Sequence, residues 1–177
     1  MRDCPRPGRE KTIWNELQRQ LDSKGIRIRK GILQDGTFTK KNNKTFFGYK
    51  GHILTDLNSV PIIRSYAVTT ASTHDSRIDL SKNGIPVYRD KGYFGVKPKG
   101  YDATMAKAIV NFKLSLRSIM RNGRISRKRA LVESPFATLK RMFHFSHTLV
   151  TLSRRVRVKF MFACFAYNLH VVKILQG

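Results

Sequence analysis

Residues 45–70 read TFFGYKGHILTDLNSVPIIRSYAVTT, and this stretch decides the fold class. Two runs rich in β-branched and aromatic residues, Thr45–Leu54 and Val60–Thr70, flank the polar segment DLNS. Such a pattern predicts two strands joined by a hairpin connection. An apolar run before them, ending at Asp35, predicts another strand. The three runs together predict an antiparallel meander.

The rest of the chain adds a fourth strand and then helices. Ile85–Asp90 is a short apolar run that ends in an acid and predicts a strand. The segment Lys91–Gly95 predicts a tight turn after this strand. Residues 1–25 are predicted to be a polar leader followed by a helix at Ile13–Leu21, and residues 26–177 the main domain. Helical spacing predicts further helices at Ala103–Leu116, Ser126–Phe143 and Arg154–Leu175. This order of elements predicts a layered α/β domain.

The charge balance of the chain is strongly basic. Its 177 residues include 35 Lys and Arg against 11 Asp and Glu, a net charge of +24, which favours a polyanionic partner such as nucleic acid. An RNA binder, a membrane-surface protein and a merely solvated basic face are the other interpretations. The apolar stretch Phe160–Val172 contains Asn168 and His170, so it predicts a core helix and not a membrane span. Cys4 and Cys164 cannot form a disulfide scaffold, which favours a reducing compartment inside the cell.

Acidic residues are scarce, and their positions are informative. From residue 103 to the end there are 15 Lys and Arg but one acid, Glu133, for which pairing with Arg129 is the simpler explanation. Asp35 and Asp90 each follow a predicted strand, where Asp also occurs as an ordinary turn or cap residue. Three converging carboxylates would instead suit hard divalent cations, which can promote phosphoryl transfer.

The helix that carries Glu133 has a regular spacing of charged residues. At 100° per residue, Arg129, Glu133 and Lys140 fall within about 40° of one stripe. One face of the helix can therefore offer a carboxylate to metal and two cations to DNA phosphate. Pro135 is predicted either to kink the helix or to begin a new one with Ser134 as its cap.

Other polar and aromatic residues admit two interpretations each. His144 and His147 have a spacing that zinc sites use, although polar surface is favoured because no further ligands cluster with them. His74 suits either phosphate positioning or a hydrogen bond within its loop. Phe46 and Phe47 could stack on bases, while core packing is favoured for at least one of them.

These residues carry a resemblance to a known family. The chain resembles the catalytic core of DDE transposases of insertion sequences of the IS4/IS5 type, from about Trp14 onward. The family's helical signature is Tyr, two residues, Arg, three residues, Glu, six residues, Lys; here Arg129, Glu133 and Lys140 stand at those spacings, with Ser126 at the Tyr position. Three further segments are similar to that family, namely Phe46–His52, Thr73–Ser76 and Tyr88–Tyr93.

The resemblance implies an RNase H-like fold, a mixed central sheet with a three-strand antiparallel meander flanked by helices. It implies a catalytic, metal-binding triad of Asp35, Asp90 and Glu133. It also implies phosphate contacts from Lys91, Arg129 and Lys140. The implied cofactor is Mg²⁺, with Mn²⁺ as a substitute. The implied partners are DNA, both the element's ends and the target, and a second copy of the chain, with no membrane.

The function implied by the resemblance is metal-dependent cleavage and strand transfer of DNA at the ends of an insertion sequence. Such a protein is expected in the prokaryotic cytoplasm, associated with the nucleoid, and this chain is expected to be a truncated copy. The alternative is a basic nucleic-acid-binding domain without catalysis, including an inactive remnant of the same family. Asp35 corresponds either to the first acid of the triad or to a later Asp-Gly-Thr segment of the family, and its place after an apolar strand favours the first.

Overall fold

The computed structural model describes residues 8–28, 30–36, 40–41, 44–45, 48–109, 113–143 and 152–176. The candidate residues Phe46, Phe47, His144 and His147 lie outside this part of the chain. Its helices are α1 (Arg9–Ser23), α2 (Leu116–Arg141) and α3 (Ser153–Gln176). Its strands are β1 (Ile32–Gly36), β2 (Lys40–Lys41), β3 (Lys44–Thr45), β4 (Tyr49–Asp56), β5 (Ile63–Thr70), β6 (Pro86–Arg89) and β7 (Tyr101–Thr104). Two short 3₁₀ turns occupy Asp75–Arg77 and Lys91–Tyr93.

Five of the strands form one mixed sheet in the order β5-β4-β1-β6-β7, while β2 and β3 form a separate small hairpin. Strand β4 pairs antiparallel with both β1 and β5, so the predicted meander is confirmed. Strand β6 pairs parallel with β1 on one side and with β7 on the other. The arrangement is compatible with the RNase H-like fold that the resemblance implies.

The hairpin between β4 and β5 is fastened by a buried ion pair. Asp56 Oδ1 accepts a hydrogen bond from the Ile62 N–H at 2.8 Å, and its Oδ2 lies 3.1 Å from Arg64 Nη2. The same guanidinium reaches Asp22 Oδ1 at 3.1 Å and the Ile26 carbonyl at 2.7 Å. Because a buried charge must be paired and hydrogen-bonded, this one arginine ties α1 to the meander.

The main core lies between the sheet and the helices. All three helices contribute buried apolar side chains to it, including Trp14 of α1, Val132 of α2 and Phe160 of α3. Leu33 and Ile53 face this core, whereas their neighbours Ile32 and Leu54 face a smaller cluster on the opposite side of the sheet, as strand alternation requires. The helices in the described residues therefore cover one face of the sheet, which corrects the expectation of a sheet flanked by helices. The predicted domain boundary at residue 25 stays a prediction, although α1 packs into this core.

Helix α3 is long and apolar enough to cross a membrane by length and composition, but one face of it packs inside the protein. It approaches β4 at Gly51, where a Cβ would lie 2.6 Å from Phe160 Cζ. A glycine is needed there because any larger side chain would collide with that ring. Burial of Phe160, Cys164 and Tyr167 agrees with the prediction of a core helix.

The predicted helix at Ala103–Leu116 is wrong: of its described residues, only Leu116 is helical, as the first residue of α2. Residues 101–104 form β7, which runs parallel to β6, and residues 105–108 have no regular structure. The buried Arg89 of β6 donates to Thr104 Oγ1 at 2.9 Å and fixes the two strands together. Ala and Met favour helices locally, but pairing with a strand twelve or more residues away overrides a weak local preference.

Helix α2 begins ten residues earlier than the sequence predicts, at Leu116 and not at Ser126. The Ser115 side chain accepts a hydrogen bond from the Ser118 N–H at 3.2 Å and caps the first turn. Asn122 lies within the helix, and its amide exchanges two 2.9 Å hydrogen bonds with the backbone of Ala106. The helix also continues through Pro135, so Arg129, Glu133 and Lys140 share one helix.

Candidate functional site

Two of the predicted acids are brought to the same edge of the sheet. Asp35 is near the end of the central strand β1, and Asp90 directly follows β6. The two strands are parallel neighbours, with Leu33 paired to Tyr88. Parallel neighbours end at the same edge, which is where ligands bind in open α/β sheets. The sheet therefore places Asp35 and Asp90 near each other although 54 residues (90 − 35 − 1) separate them in the chain.

Arg129 of α2 bridges these two carboxylates. Its Nη2 lies 2.9 Å from Asp35 Oδ2 and its Nη1 lies 3.5 Å from Asp90 Oδ1. Its Nε is buried and has no hydrogen-bond partner among the described residues. The sequence predicts Arg129 as a partner for phosphate or for Glu133; in the structure it contacts the other two acids of the predicted triad.

Asp35 sits in a less solvated position than its partner. Its side chain is 25% exposed, compared with 48% for Asp90 and 17% for Arg129. Burial raises the pKa of Asp35, the Arg129 charge and the Gly36 N–H oppose that rise, and the nearby Asp90 and Asp75 charges add to it. Accumulated negative charge at this edge of the sheet thus makes a cation necessary, and Arg129 supplies one.

Glu133 lies one helical turn beyond Arg129 and is exposed. The described residues show no ion pair for Glu133 and no group of three His, Cys, Asp or Glu side chains close enough to hold a metal ion. The structure therefore joins Asp35 to Asp90 and carries Glu133 on the same helix as their bridging arginine, without bringing the three acids together. The triad itself stays a prediction.

The two predicted lysines are both exposed, and Lys91 lies beside this edge. Lys91 immediately follows Asp90, which caps the next turn by accepting from the Lys91 N–H at 2.7 Å, and Lys140 is exposed in the last turn of α2. Exposed cations on the same helix extend the basic surface, namely Arg117, Arg124, Arg127, Lys128 and Arg141. This concentration of charge on one helix suits a phosphate backbone. The phosphate contacts of Lys91, Arg129 and Lys140 stay predictions.

A second polar cluster lies close to β1 at Gly36, the residue after Asp35. Asp75 Oδ1 is 2.9 Å from Lys50 Nζ and 3.8 Å from His52 Nδ1, and both of these side chains are buried. A Cβ on Gly36 would lie 2.9 Å from His52 Nδ1 and 3.0 Å from Asp75 Oδ1, so this glycine lets the cluster approach β1. Burial lowers the pKa of His52 to about 4, with Lys50 also lowering it and Asp75 opposing, so His52 is neutral near pH 7.

Sequence reasoning did not assign this second cluster. Its members lie in the two segments that carry the family resemblance, Phe46–His52 and Thr73–Ser76, which was the available signal. His74 makes the loop hydrogen bonds that were one of its two interpretations, because its Nδ1 lies 2.7 Å from Ser76 Oγ. Lys128 was also missed: its Nζ lies 2.7 Å from the Tyr88 hydroxyl and 4.3 Å from the ring centroid. That pair places another cation over β6.

The chemistry of this site follows from its donors. Two carboxylates that share one cation offer hard oxygen ligands of the kind that Mg²⁺ and Mn²⁺ prefer. The surrounding basic helix offers contacts for an anionic polymer. An acidic point within a basic surface can bring a divalent cation and a phosphodiester to the same place.

The chain matches a family model described as Transposase DDE domain over residues 16–169. A curated relative, the transposase for insertion sequence element IS1106 from Neisseria meningitidis serogroup B, is 28% identical over 144 residues. That alignment covers 72% of this chain and 49% of the relative, so the chain spans about half the length of the protein it matches. No solved structure matches the chain.

Proposed function

The chain belongs to the transposase DDE domain family, and from that premise we propose that it cleaves phosphodiester bonds at the ends of an insertion sequence and joins them to target DNA. The observation that carries the proposal is the meeting of Asp35 and Asp90 at Arg129, at the common edge of two parallel strands. Acids at this edge of an α/β sheet have no role in the core and are available to a ligand.

The donors at this edge are carboxylate oxygens, the kind of ligand that a hard divalent cation prefers. Asp35 and Asp90 converge on one positive group, and Glu133 follows on the helix that packs over them. In the proposal, these three side chains hold Mg²⁺ or Mn²⁺ as ligands and not as nucleophiles. The cation, when bound, would activate a water or a 3′-hydroxyl and stabilise the leaving oxygen.

The remaining residues position the DNA. Lys91, next to Asp90, and Lys140, on the helix that carries Arg129, are assigned to phosphate, together with Arg129 and the exposed cations of α2. Cleavage forms a bond from a water oxygen to phosphorus and breaks the bond to the 3′-oxygen, which leaves as a 3′-hydroxyl. Strand transfer repeats this exchange with that hydroxyl attacking a target phosphodiester. A second copy of the chain, one for each end of the element, completes the proposal.

The direct test is nicking of labelled duplex DNA by the full chain with Mg²⁺ or Mn²⁺. We expect Asp90→Asn and Glu133→Gln to reduce nicking by about 100-fold or more, because each removes a carboxylate ligand of the cation that would stabilise the transition state. Glu16→Gln is the matched control, since Glu16 is an exposed carboxylate on α1 that pairs with Arg19. Equal cleavage by all three variants would refute the assignment of Asp90 and Glu133.

The exposed arginines and lysines of α2 favour a second candidate function, which is DNA binding without catalysis. These side chains would release counterions from a phosphate backbone, so affinity would fall steeply as salt increases. Salt-sensitive binding with no cleavage in either metal, unchanged by Asp90→Asn, would support this candidate against the enzyme.

A further inference from the structure

We propose that Arg129 is an internal counter-cation that occupies Asp35 and Asp90 until a divalent cation displaces it, which frees its guanidinium for phosphate. The inference rests on the proposed function and adds a competition between this side chain and the metal.

The first observation is the geometry of the bridge. The two terminal nitrogens of one guanidinium each contact a different carboxylate, at 2.9 Å for Asp35 and 3.5 Å for Asp90. The Asp35 oxygen that Arg129 uses is Oδ2, while Oδ1 accepts from the Gly36 N–H at 2.9 Å. The backbone therefore holds one oxygen of Asp35 and the arginine takes the other. Oδ2 is therefore the Asp35 oxygen for which Arg129 and a divalent cation would compete.

The second observation is that the bridge is incomplete. Arg129 Nε is buried, yet it has no hydrogen-bond partner among the described residues, and Nη1 lies 3.5 Å from its carboxylate. A permanent structural arginine in a buried ion pair normally has its donors satisfied. Here the guanidinium is held mainly by its electrostatic attraction to the two carboxylates. A divalent cation that neutralises the same carboxylates would remove that attraction.

The third observation is the charge around the site. Asp75 adds a third carboxylate near Asp35, but its own cation is Lys50, at 2.9 Å. Lys50 therefore pairs with Asp75, while Arg129 pairs with Asp35 and Asp90. Arg129 and a divalent cation cannot share the same oxygens, because two positive charges at contact distance repel strongly in a partly buried site. Displacement of Arg129 follows from binding of the divalent cation.

The test is the affinity of the full chain for Mn²⁺, measured by calorimetry or by the electron paramagnetic resonance of the free ion. A side chain that occupies the carboxylates nine-tenths of the time would lower the apparent affinity about 10-fold, so Arg129→Met is expected to bind Mn²⁺ about 10-fold more tightly. Arg127→Met is the matched control, because Arg127 is exposed on the same helix and its loss changes the net charge equally. Adding Asp90→Asn to Arg129→Met is expected to remove the gain.

Arg129→Lys provides a second variant in case the methionine variant does not fold. Lysine keeps the positive charge, but its single ammonium group cannot contact two carboxylates at once as the planar guanidinium does. We therefore expect a Mn²⁺ affinity between those of the parent and Arg129→Met. Mn²⁺ binding that is unchanged or weaker in the Arg129 variants, while the parent binds through Asp90, would overturn the competition and leave the proposed cleavage standing. Absence of any Asp90-dependent Mn²⁺ binding in the parent would overturn the competition together with the metal assignment.

Discussion

The buried imidazole of His52 predicts a loss of stability in mild acid. Its side chain is fully buried on β4, with Nε2 2.9 Å from Thr69 Oγ1 and Nδ1 without a hydrogen-bond partner among the described residues. Its pKa in the folded chain is about 4, against an ordinary value of 6.5. Between these two values the unfolded chain binds a proton that the folded chain does not, so folding free energy is lost as the pH falls.

The size of this effect follows from the two pKa values. Lowering the pH from 7 to 4.5 should remove about 2 to 3 kcal/mol of stability through His52 alone. Asp35 and Asp56 act in the opposite direction, because burial raises their pKa values and makes the folded chain bind protons more readily. The two aspartates contribute equally to the pH dependence of the parent and of the variants. The effect of His52 is therefore measured as the difference in stability loss between parent and variant, and not from the parent alone.

The assay is urea unfolding from pH 7 to pH 4.5, followed by the fluorescence of Trp14, the one tryptophan of the chain. We expect His52→Gln to lose about 2 to 3 kcal/mol less than the parent over this interval, because glutamine keeps a polar group but does not titrate. His170→Gln is the control, since it also replaces one histidine by glutamine but at an exposed position on α3, away from the buried imidazole of His52. A pH dependence of His52→Gln equal to that of the parent would refute the reasoning.

Two further predictions concern packing and hydrogen bonding. A Cβ on Gly100 would collide with two backbone carbonyl oxygens, whereas nothing lies within 4 Å of one on Gly123 in α2. Gly100→Ala should therefore lower stability by about 1 to 3 kcal/mol, and Gly123→Ala should raise it by up to about 1 kcal/mol; thermal unfolding that gives both the same sign would contradict this. Asn168 is buried, accepts from the Ile63 N–H at 2.9 Å and donates to the Ile63 carbonyl at 2.8 Å. Asn168→Ala should cost about 1 to 3 kcal/mol in denaturant unfolding, because it leaves a buried N–H without its acceptor, while the exposed His170→Ala should change stability by less than about 0.5 kcal/mol. Similar losses in these two variants would show that the Asn168 bonds do not stabilise the fold.

The sheet was predictable where the signal was local. Alternation and turn residues identified the meander, and the acids at the ends of Ile32–Gly36 and Pro86–Arg89 marked the edge of the sheet that carries the site. The helix predicted from Ala103 failed because β7 exists only through its pairing with β6 and the contact of Arg89. Local sequence carries no information on such pairing.

The candidate site shows the same division. The spacing of Arg129, Glu133 and Lys140 on one helix is a property of the sequence, and the structure confirms that a single helix carries them. The partner of Arg129 was not predictable: helical spacing favours Glu133, whereas the packing of α2 over β1 and β6 gives it Asp35 and Asp90. Lys50 and His52 became part of the site only because Gly36 lets them approach.

By itself, the sequence determined the basic charge, the strand meander, the helical signature and through them the family, since charge, alternation and spacing are properties of neighbouring residues. The tertiary structure alone decided which acids meet and which cation lies between them. The physical reason is that parallel pairing and helix packing join residues far apart in the chain, and the energy of a carboxylate depends on the charges that these distant residues bring around it.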